Sequence, residues 1–390
     1  MKGDDMMGRK LYLVLLLAVL LVTLGACAPK PSNTPQSSTN TPVPVSTTAK
    51  PPSTTLSKTS PEWEKIVAEA KKEGQITLYS FGFTGDIGSA VAQGFRKAYD
   101  IKVDLVTGIG TVLMERIRTE NRAGKFIADT YDTSAVFVAQ AKADGLTVNA
   151  GDLPELNENV WQVHPRMDKE GHIYGTTIAF TTLFFNTSLV KAGEEPKSYK
   201  DLLDPRWKGK MVFPDPRTTP NAIRVYVAYK KYGVLDDAYW SQLGKQDLRV
   251  APTIWDLDII LARGESTVEV SGVDSTVNPF IKGGAPVKPI NVAEGIVVST
   301  GAPAIAIVKN GPHPNATRLF LNWFFSLEGQ KAYHETRSST SPRKDLPNFA
   351  PAAGLLPMDK IWLVDMDMEV ETARVQREGI FAKLTGIETK

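Results

Sequence analysis

The sequence predicts an α/β protein made of two doubly wound lobes, and three observations carry that expectation. Apolar strand-like runs alternate with loops and helix-period segments, in two sets separated by the long stretch IYGTTIAFTTLFFNTSLV. About 330 residues follow a polar N-terminal stretch, more than one hydrophobic core usually serves. Each strand-like run also leads through a loop of small polar residues into a helix, the order that parallel strands need because their crossovers are long and usually helical.

The elements follow in chain order. Ser60 and Pro61 read as a helix cap and first helical residue; Trp63, Ile66, Val67 and Ala70 share one face, and Gly74 ends the helix. The strand QITLYS comes next, then the loop FGFTGD and a helix through Phe95. The strand KVDLVTG, the loop GIGT, a helix ending near Gly124 and the strand IADTYDT complete the first set. The second set holds KMVFPD, a helix with Thr219 as cap and Pro220 in its first turn, a helix over 255–262 and the strand STVEVSG. GIVVSTGAPAIAIV reads as one long strand, and the helix after it carries an apolar stripe of Leu319, Phe320, Trp323, Phe324 and Leu327, which is most simply core.

The N-terminus has a separate logic. Lys2, Arg9 and Lys10 precede an aliphatic run from Leu11 to Leu24, too short to span roughly 30 Å of hydrocarbon but suited to an export signal. Leu24-Gly25-Ala26-Cys27 resembles the bacterial lipobox, which implies cleavage before Cys27 and lipidation of its thiol. The chain has one cysteine, so no disulfide competes for it. From Ala28 to Ser60 the composition is almost wholly Pro, Ser, Thr, Asn, Lys and Ala, which cannot form a core; it reads as a tether of roughly 30 Å coil dimension. Net charge is +2, and near +1 without residues 1–26, so no field recruits nucleic acid.

Further along, the stretches EGQITLYSFGFTGDIGSAVAQGFRKAYDIKVDLVTGIG, SYKDLLDPRWKGKMVFPDPRTTPNA and PHPNATRLFLNWFFSLEGQKAY are similar to the extracellular solute-binding proteins of bacterial ABC importers, in the branch of the ferric-iron-binding proteins. The resemblance covers most of residues 61–347. It implies a type II periplasmic-binding-protein-like fold: two lobes joined by crossing strands, a ligand cleft between them, and closure about a hinge expected near 181–185 and 295–300. On this frame residues 1–26 are a signal peptide and 27–60 a tether, with lobe 1 formed by 61–182 and 297–345 and lobe 2 by 183–296 and 346–390. The implied partners are a small-molecule ligand, an ABC permease and, through the lipid anchor, the membrane. The chain is expected to work as a monomer, without a cofactor, without nucleic acid and without enzymatic activity.

Ligands of open α/β sheets sit beyond the carboxyl ends of strands, where helix N-termini present free N–H groups. The loops there nominate Ser80, Phe83 and Thr84; Gly108, Gly110 and Thr111; Thr133 and Ser134; Asp215, Arg217, Thr218 and Thr219; and Ser271, Asp274 and Ser275. Each Thr, Ser or Asp among them can also be a plain helix cap. Arg217 is the cationic candidate, able to fork a carboxylate or phosphonate, or simply to lie on the surface. The resemblance raises ferric iron, which that branch holds with phenolates, but VSGVDSTVNPF has no tyrosine and Phe83 stands where a histidine is an option. A small organic or phosphorus oxyanion therefore ranks first, iron second, and a cationic metabolite held by Asp132, Asp215 and Asp274 with Phe81, Phe83 or Trp255 third. Tyr79, Tyr131 and Tyr174 can reach a cleft or pack as core. His164, His172, His313 and His334 form no metal-type pair. A hydrolase on this scaffold is the rival of another class, yet no nucleophile elbow, zinc motif or phosphate-binding loop is present. A ligand sensor that signals to a membrane partner would use the same closing motion.

Overall fold

The computed structural model describes residues 56–301, 303–350, 352 and 360–387. The expected signal peptide, Cys27 and nearly all of the tether lie outside them. Among the described residues no helix is long and apolar enough to cross a membrane.

The first set folds much as its sequence dictates. Helix α1 (Pro61–Glu73) is capped by Ser60, whose Oγ accepts from the Trp63 N–H, and is stopped by Gly74 at φ 70°. Strand β1 (Gln75–Ser80), α2 (Gly85–Tyr99), β2 (Lys102–Thr107), α3 (Gly110–Arg122), β3 (Thr130–Thr133), α4 (Ala135–Ala143) and the short β4 (Thr147–Val148) and β5 (Tyr174–Gly175) follow. Then come β6 (Ala179–Asn186), β7 (Met211–Pro214), α5 (Asn221–Lys231), α6 (Asp237–Leu243), β8 (Arg249–Ala251), α7 (Ile254–Ala262), β9 (Val268–Val273), α8 (Asp274–Lys282), β10 (Val287–Ile290) and β11 (Ile296–Ser299). The chain ends with β12 (Ala304–Val308), α9 (Pro314–Phe324), α10 (Leu327–Arg337), β13 (Ile361–Val364), α11 (Met366–Arg377) and α12 (Ile380–Thr385).

Two sheets result. One runs β2-β1-β3-β12-β4 with β5 beside β12; the other runs β13-β11-β6-β9-β7-β8 with β10 beside β6. Each has apolar packing on both faces. Phe95, Phe320, Trp323 and Phe324 cover one side of the first sheet, and Leu113, Ile117 and Val138 the other. Tyr199, Tyr226, Trp240 and Phe381 cover one side of the second, with Phe180, Phe184 and Leu261 opposite.

The sheets are mixed where the sequence suggested parallel ones. Strands β1, β2 and β3 are mutually parallel, as are β7, β8 and β9, but β12 runs against β3 and β6 against β9. The reason is that the chain changes sheets three times, twice through short crossing segments and once more between β12 and β13 by way of α9 and α10. IYGTTIAFTTLFFN splits into β5 in the first sheet and β6 in the second, and GIVVSTGAPAIAIV into β11 in the second and β12 in the first. What reads as one apolar strand is therefore two strands joined by a crossing segment. The crossings include 176–178 and Thr300, Gly301 and Pro303, so most of 181–185 and 295–300, expected near the hinge, is regular strand inside the second sheet. The crossings touch each other: Thr176 donates its N–H and its Oγ1–H to Pro303 O, at 3.1 and 3.0 Å.

Two smaller departures have local causes. Helix α5 starts at Asn221 with Pro220 in the cap position, because Thr219 turns its hydroxyl back to Asp215 O. The apolar stripe of α9 ends at Phe324; the chain breaks there, Ser326 caps α10, and Leu327 is exposed.

A buried ion pair ties the C-terminal part to the rest. Arg224 on α5 donates two hydrogen bonds of 3.0 Å to Glu369 on α11, and both side chains are almost fully buried. Ser299, at the end of β11, donates to Glu369 at 2.8 Å and accepts from the Gly301 N–H in the crossing segment. Gly301 O in turn accepts from Ala135 N at the start of α4.

A second buried acidic feature sits behind the second sheet. Asp258 on α7 and Glu269 on β9 are 2% and 0% exposed, and burial raises both carboxyls. Gly272 is required beside them: a Cβ there would lie 2.0 Å from Glu269 Oε1. Because the folded state binds a proton more tightly than the unfolded chain, the pair favours folding in acid, and that contribution is lost as pH rises from about 4 towards neutrality. Asp258→Asn, whose amide donates without a proton to lose, should flatten this dependence. Urea midpoints at pH 5 and pH 8 are expected to differ less in the variant than in the parent, with the variant the more stable at pH 8.

Candidate functional site

The carboxyl ends of the strands converge at the crossings. In the first lobe Phe81 N donates to Asp132 O and Gly108 N to Ser80 O, so the loops after β1, β2 and β3 are laced together by their backbones. Ser80 is buried, its hydroxyl donating to Asp132 Oδ2, and Gly82 N donates to the same oxygen at 2.8 Å. Gly82 must lack a side chain, since a Cβ would meet Asp132 Oδ2 at 2.9 Å and Pro303 at 3.0 Å. Gly110 faces the same constraint: a Cβ would lie 2.1 Å from Thr133 Oγ1. Beneath it, Tyr131 donates its hydroxyl to Gly110 O at 2.7 Å.

Several nominated residues stand at these mouths. Gly110 begins α3, with Ile109 as a cap that offers no side-chain bond and with no acidic residue in the first turn; Thr111 is exposed beside it. Ser134 caps α4 without a side-chain bond, and its Oγ is buried with no partner. Thr84 is exposed at the start of α2. In the second lobe, the loop from Asp215 to Pro220 leads into α5, again without an acid in the first turn. Thr218 is exposed and donates to Pro252 O at 2.6 Å. Ser275 lies in the first turn of α8, which Asp274 opens.

Three nominated residues have other employment. Phe83 is fully buried, its ring 5.4 Å from both Phe324 and Tyr333, because α2 packs on α10 and closes an aromatic cluster over it. Arg217 forks Asp215, two residues before it, with Nε and Nη2 at 2.9 and 2.7 Å, so its guanidinium already has a carboxylate, and Arg217 holds that carboxyl below its usual range. Ser271 is fully buried at φ 59°, 3.5 Å from Tyr199 Oη. It occupies a bulge: Val270 and Ser271 together oppose Leu183 alone, a device that re-aims the end of a strand.

The polar groups without partners are informative. Asp132 and Asp274 are 0% exposed. Asp274 Oδ1 accepts from Phe180 N at 2.9 Å, whereas Asp274 Oδ2 and Asp132 Oδ1 have no donor. Burial pushes Asp132 up to about 6 against Ser80, Gly82 and the charge of Arg337, and Asp274 to about 7 against the backbone N–H groups of Phe180 and Ser275, the charge of Arg337 and the Asn278 side chain. Arg337, at the end of α10, escaped the sequence reading, since a basic residue in a last helical turn is an ordinary partner of the helix dipole. Only the fold brings it near a carboxyl from each sheet.

Among the described residues no three His, Cys, Asp or Glu side chains gather as a metal-binding group. Tyr79, Tyr131 and Tyr174 are buried, with hydroxyls given to Glu120, Gly110 O and Gly171 O. His313 bonds Asp129 at 2.8 Å, and His334, bonded to Ser339 and Gln330, is pushed down to about 3 by burial, so it stays neutral.

A family model for bacterial extracellular solute-binding proteins matches residues 90–355. The chain belongs to this family. Its function is to bind a small solute outside the cytoplasm for the permease of an ABC importer. A Salmonella typhimurium protein, named as a proposed 2-aminoethylphosphonate-binding periplasmic protein, is 22% identical over 306 residues, 74% of this chain and 82% of that one. A thiamine-binding periplasmic protein of Brucella suis is 25% identical over 208 residues, 52% of this chain and 60% of that one. Among solved structures, iron-bound HitA from Pseudomonas aeruginosa superposes with a TM-score of 0.62 at 21% identity, over 80% of this chain and 99% of that one. The fold is that of the two-lobed type II periplasmic binding proteins.

The interlock of Gly110 with Thr133 is testable. Gly110→Ala should lower stability by about 1–3 kcal/mol through overpacking. Adding Thr133→Ala, which removes Oγ1 and Cγ2, should restore part of it. A double-mutant cycle from urea melts is expected to show coupling above about 0.5 kcal/mol.

Proposed function

We propose that this solute-binding protein is a lipid-tethered monomer that captures a small organic or phosphorus oxyanion between lobes closing about the crossings that include 176–178 and Thr300, Gly301 and Pro303. The observation that carries the oxyanion is at α4: Ser134 Oγ is buried without a partner at a helix start that has no acidic residue in its first turn. The neighbouring α3 also has no acid in its first turn, so the positive ends of two helix dipoles remain available, while the first turn of α5 is free of acids beside the Asp215–Arg217 pair. The name of the Salmonella relative agrees with a phosphorus oxyanion. The lipobox-like Leu24–Cys27 and the tether after it support anchoring at Cys27, which two acyl chains would make stable. The relatives' names describe binding proteins, which supports a role without catalysis.

Ferric iron is the weaker reading. It draws on the fold shared with iron-bound HitA, while the buried tyrosines spend their hydroxyls elsewhere.

Thr111 and Thr218 are exposed on opposite lobes, so bulk there should disturb the cleft and spare the core. Thr111→Leu and Thr218→Leu are each expected to leave the apo melting temperature within a few degrees and to remove most of the stabilisation by a bound phosphonate or carboxylate. For the parent that stabilisation is about 2.7 kcal/mol at a ligand concentration 100 times Kd. An undiminished shift in both variants would move the site elsewhere. Separately, Cys27→Ser should shift the protein from the membrane fraction to the soluble fraction of the cells that make it.

A further inference from the structure

We propose that Asp132, Asp274 and Arg337 form a charge-reading centre for a zwitterion, a small molecule carrying an ammonium group beside its oxyanion. This deepens the cleft reading above and rests on it.

The three side chains come from different parts of the fold. Asp132 lies one residue before the end of β3 in the first sheet, Asp274 opens α8 beside the second, and Arg337 closes α10. Ser80 and Gly82 hold Asp132 through Oδ2 and Phe180 holds Asp274 through Oδ1, and the Ser275 N–H and the Asn278 side chain also favour the ionised form of Asp274. The other oxygen of each is buried without a donor, where most native buried carboxylate oxygens are satisfied. Arg337 completes the set: its charge acts on both carboxyls, its guanidinium lies 5.7 Å from the Tyr333 ring centroid, and its Nε is buried without an acceptor. Among the described residues it makes no ion pair. The turn that carries it is pinned to α8, since Asn278 Nδ2 donates to Ser338 O at 2.9 Å and Lys282 Nζ to Ser338 Oγ at 3.4 Å.

The charges decide the ligand class. Two carboxyls and one guanidinium put groups of opposite charge type where the two lobes meet. A bare oxyanion would satisfy Arg337 and face two carboxyls; a bare cation would satisfy the carboxyls and leave Arg337 without an acceptor. A zwitterion supplies N–H donors for Asp132 Oδ1 and Asp274 Oδ2 and an acceptor for Arg337 Nε. His334, next to Tyr333, is neutral and adds no charge. Sites built to hydrogen-bond a group reject the analogue that lacks it, since the site's own polar groups are then left unpaired.

Calorimetric titration of the full chain with matched pairs tests this: 2-aminoethylphosphonate against ethylphosphonate, and β-alanine against propionate. The expected result is that at least one amino compound binds roughly 100-fold more tightly than its partner. Asp132→Asn and Asp274→Asn should each shrink that ratio to about tenfold or less, and Arg337→Gln should weaken amino compounds while leaving the melting temperature of the free protein near that of the parent. Equal binding with and without the amine overturns the zwitterion and leaves the oxyanion reading standing. Binding of no member of either pair overturns both. Should one Asn variant fail to fold, the other and Arg337→Gln still decide, because an unchanged ratio in either folded variant removes the assignment.

Discussion

The bonded chain from Arg224 through Glu369 to Ser299 is the constraint on which the arrangement of the site depends. Helix α5 follows the loop from Asp215 to Pro220, α11 packs on it through Met368 and Val375, and β11 leads into a crossing segment; the Glu369 carboxylate of α11 bonds to the other two. Through Gly301 the connection continues to the start of α4 in the first lobe. A buried pair of this kind adds little net stability compared with apolar packing, but losing one partner strands a charge at a cost of about 3–5 kcal/mol. Its worth is therefore in position. It fixes α11 against α5, where Gln376 also donates to Pro216 O, next to the loop that opens α5. The loop that opens α5 is thus braced from behind by α11.

Much of the fold was legible because local signals agreed with it. Ser60, Pro61 and Gly74 bound a helix for reasons of capping and backbone conformation that need no tertiary context. The loops after β1, β2, β3 and β7 fell where small polar residues follow apolar runs. What the sequence hid was direction and partition. Nothing in GIVVSTGAPAIAIV says that its halves belong to different sheets, because both halves are buried and both are aliphatic. The break depends on Thr300 meeting Gly175, Gly301 meeting Ala135 and Pro303 meeting Thr176, contacts between residues distant in the chain.

At the site, residue type was a better guide than residue role. Phe83, Arg217 and Ser271 have the chemistry of ligand contacts, yet each is consumed by a neighbour the sequence could not place: an aromatic cluster, an adjacent carboxylate, a bulge. Arg337 shows the converse. Its side chain gains meaning only because α10 ends where the second lobe begins, a juxtaposition fixed by Ser338 and Asn278.

That juxtaposition also explains how recognition and motion are joined. A ligand shifts an open-closed equilibrium only by its difference in affinity for the two forms, and taking a population from 1:99 to 99:1 needs a difference of about 10⁴. Contacts to one lobe are the same in both forms and contribute nothing to that difference, however strong they are. Asp132 is anchored wholly within the first lobe by Ser80 and Gly82, and Asp274 within the second by Phe180. Each keeps its place in its own sheet, so the distance between their unpartnered oxygens is a property of closure and of little else. A molecule that must reach both to neutralise its ammonium therefore reads that distance directly, and its binding energy falls on the closed form.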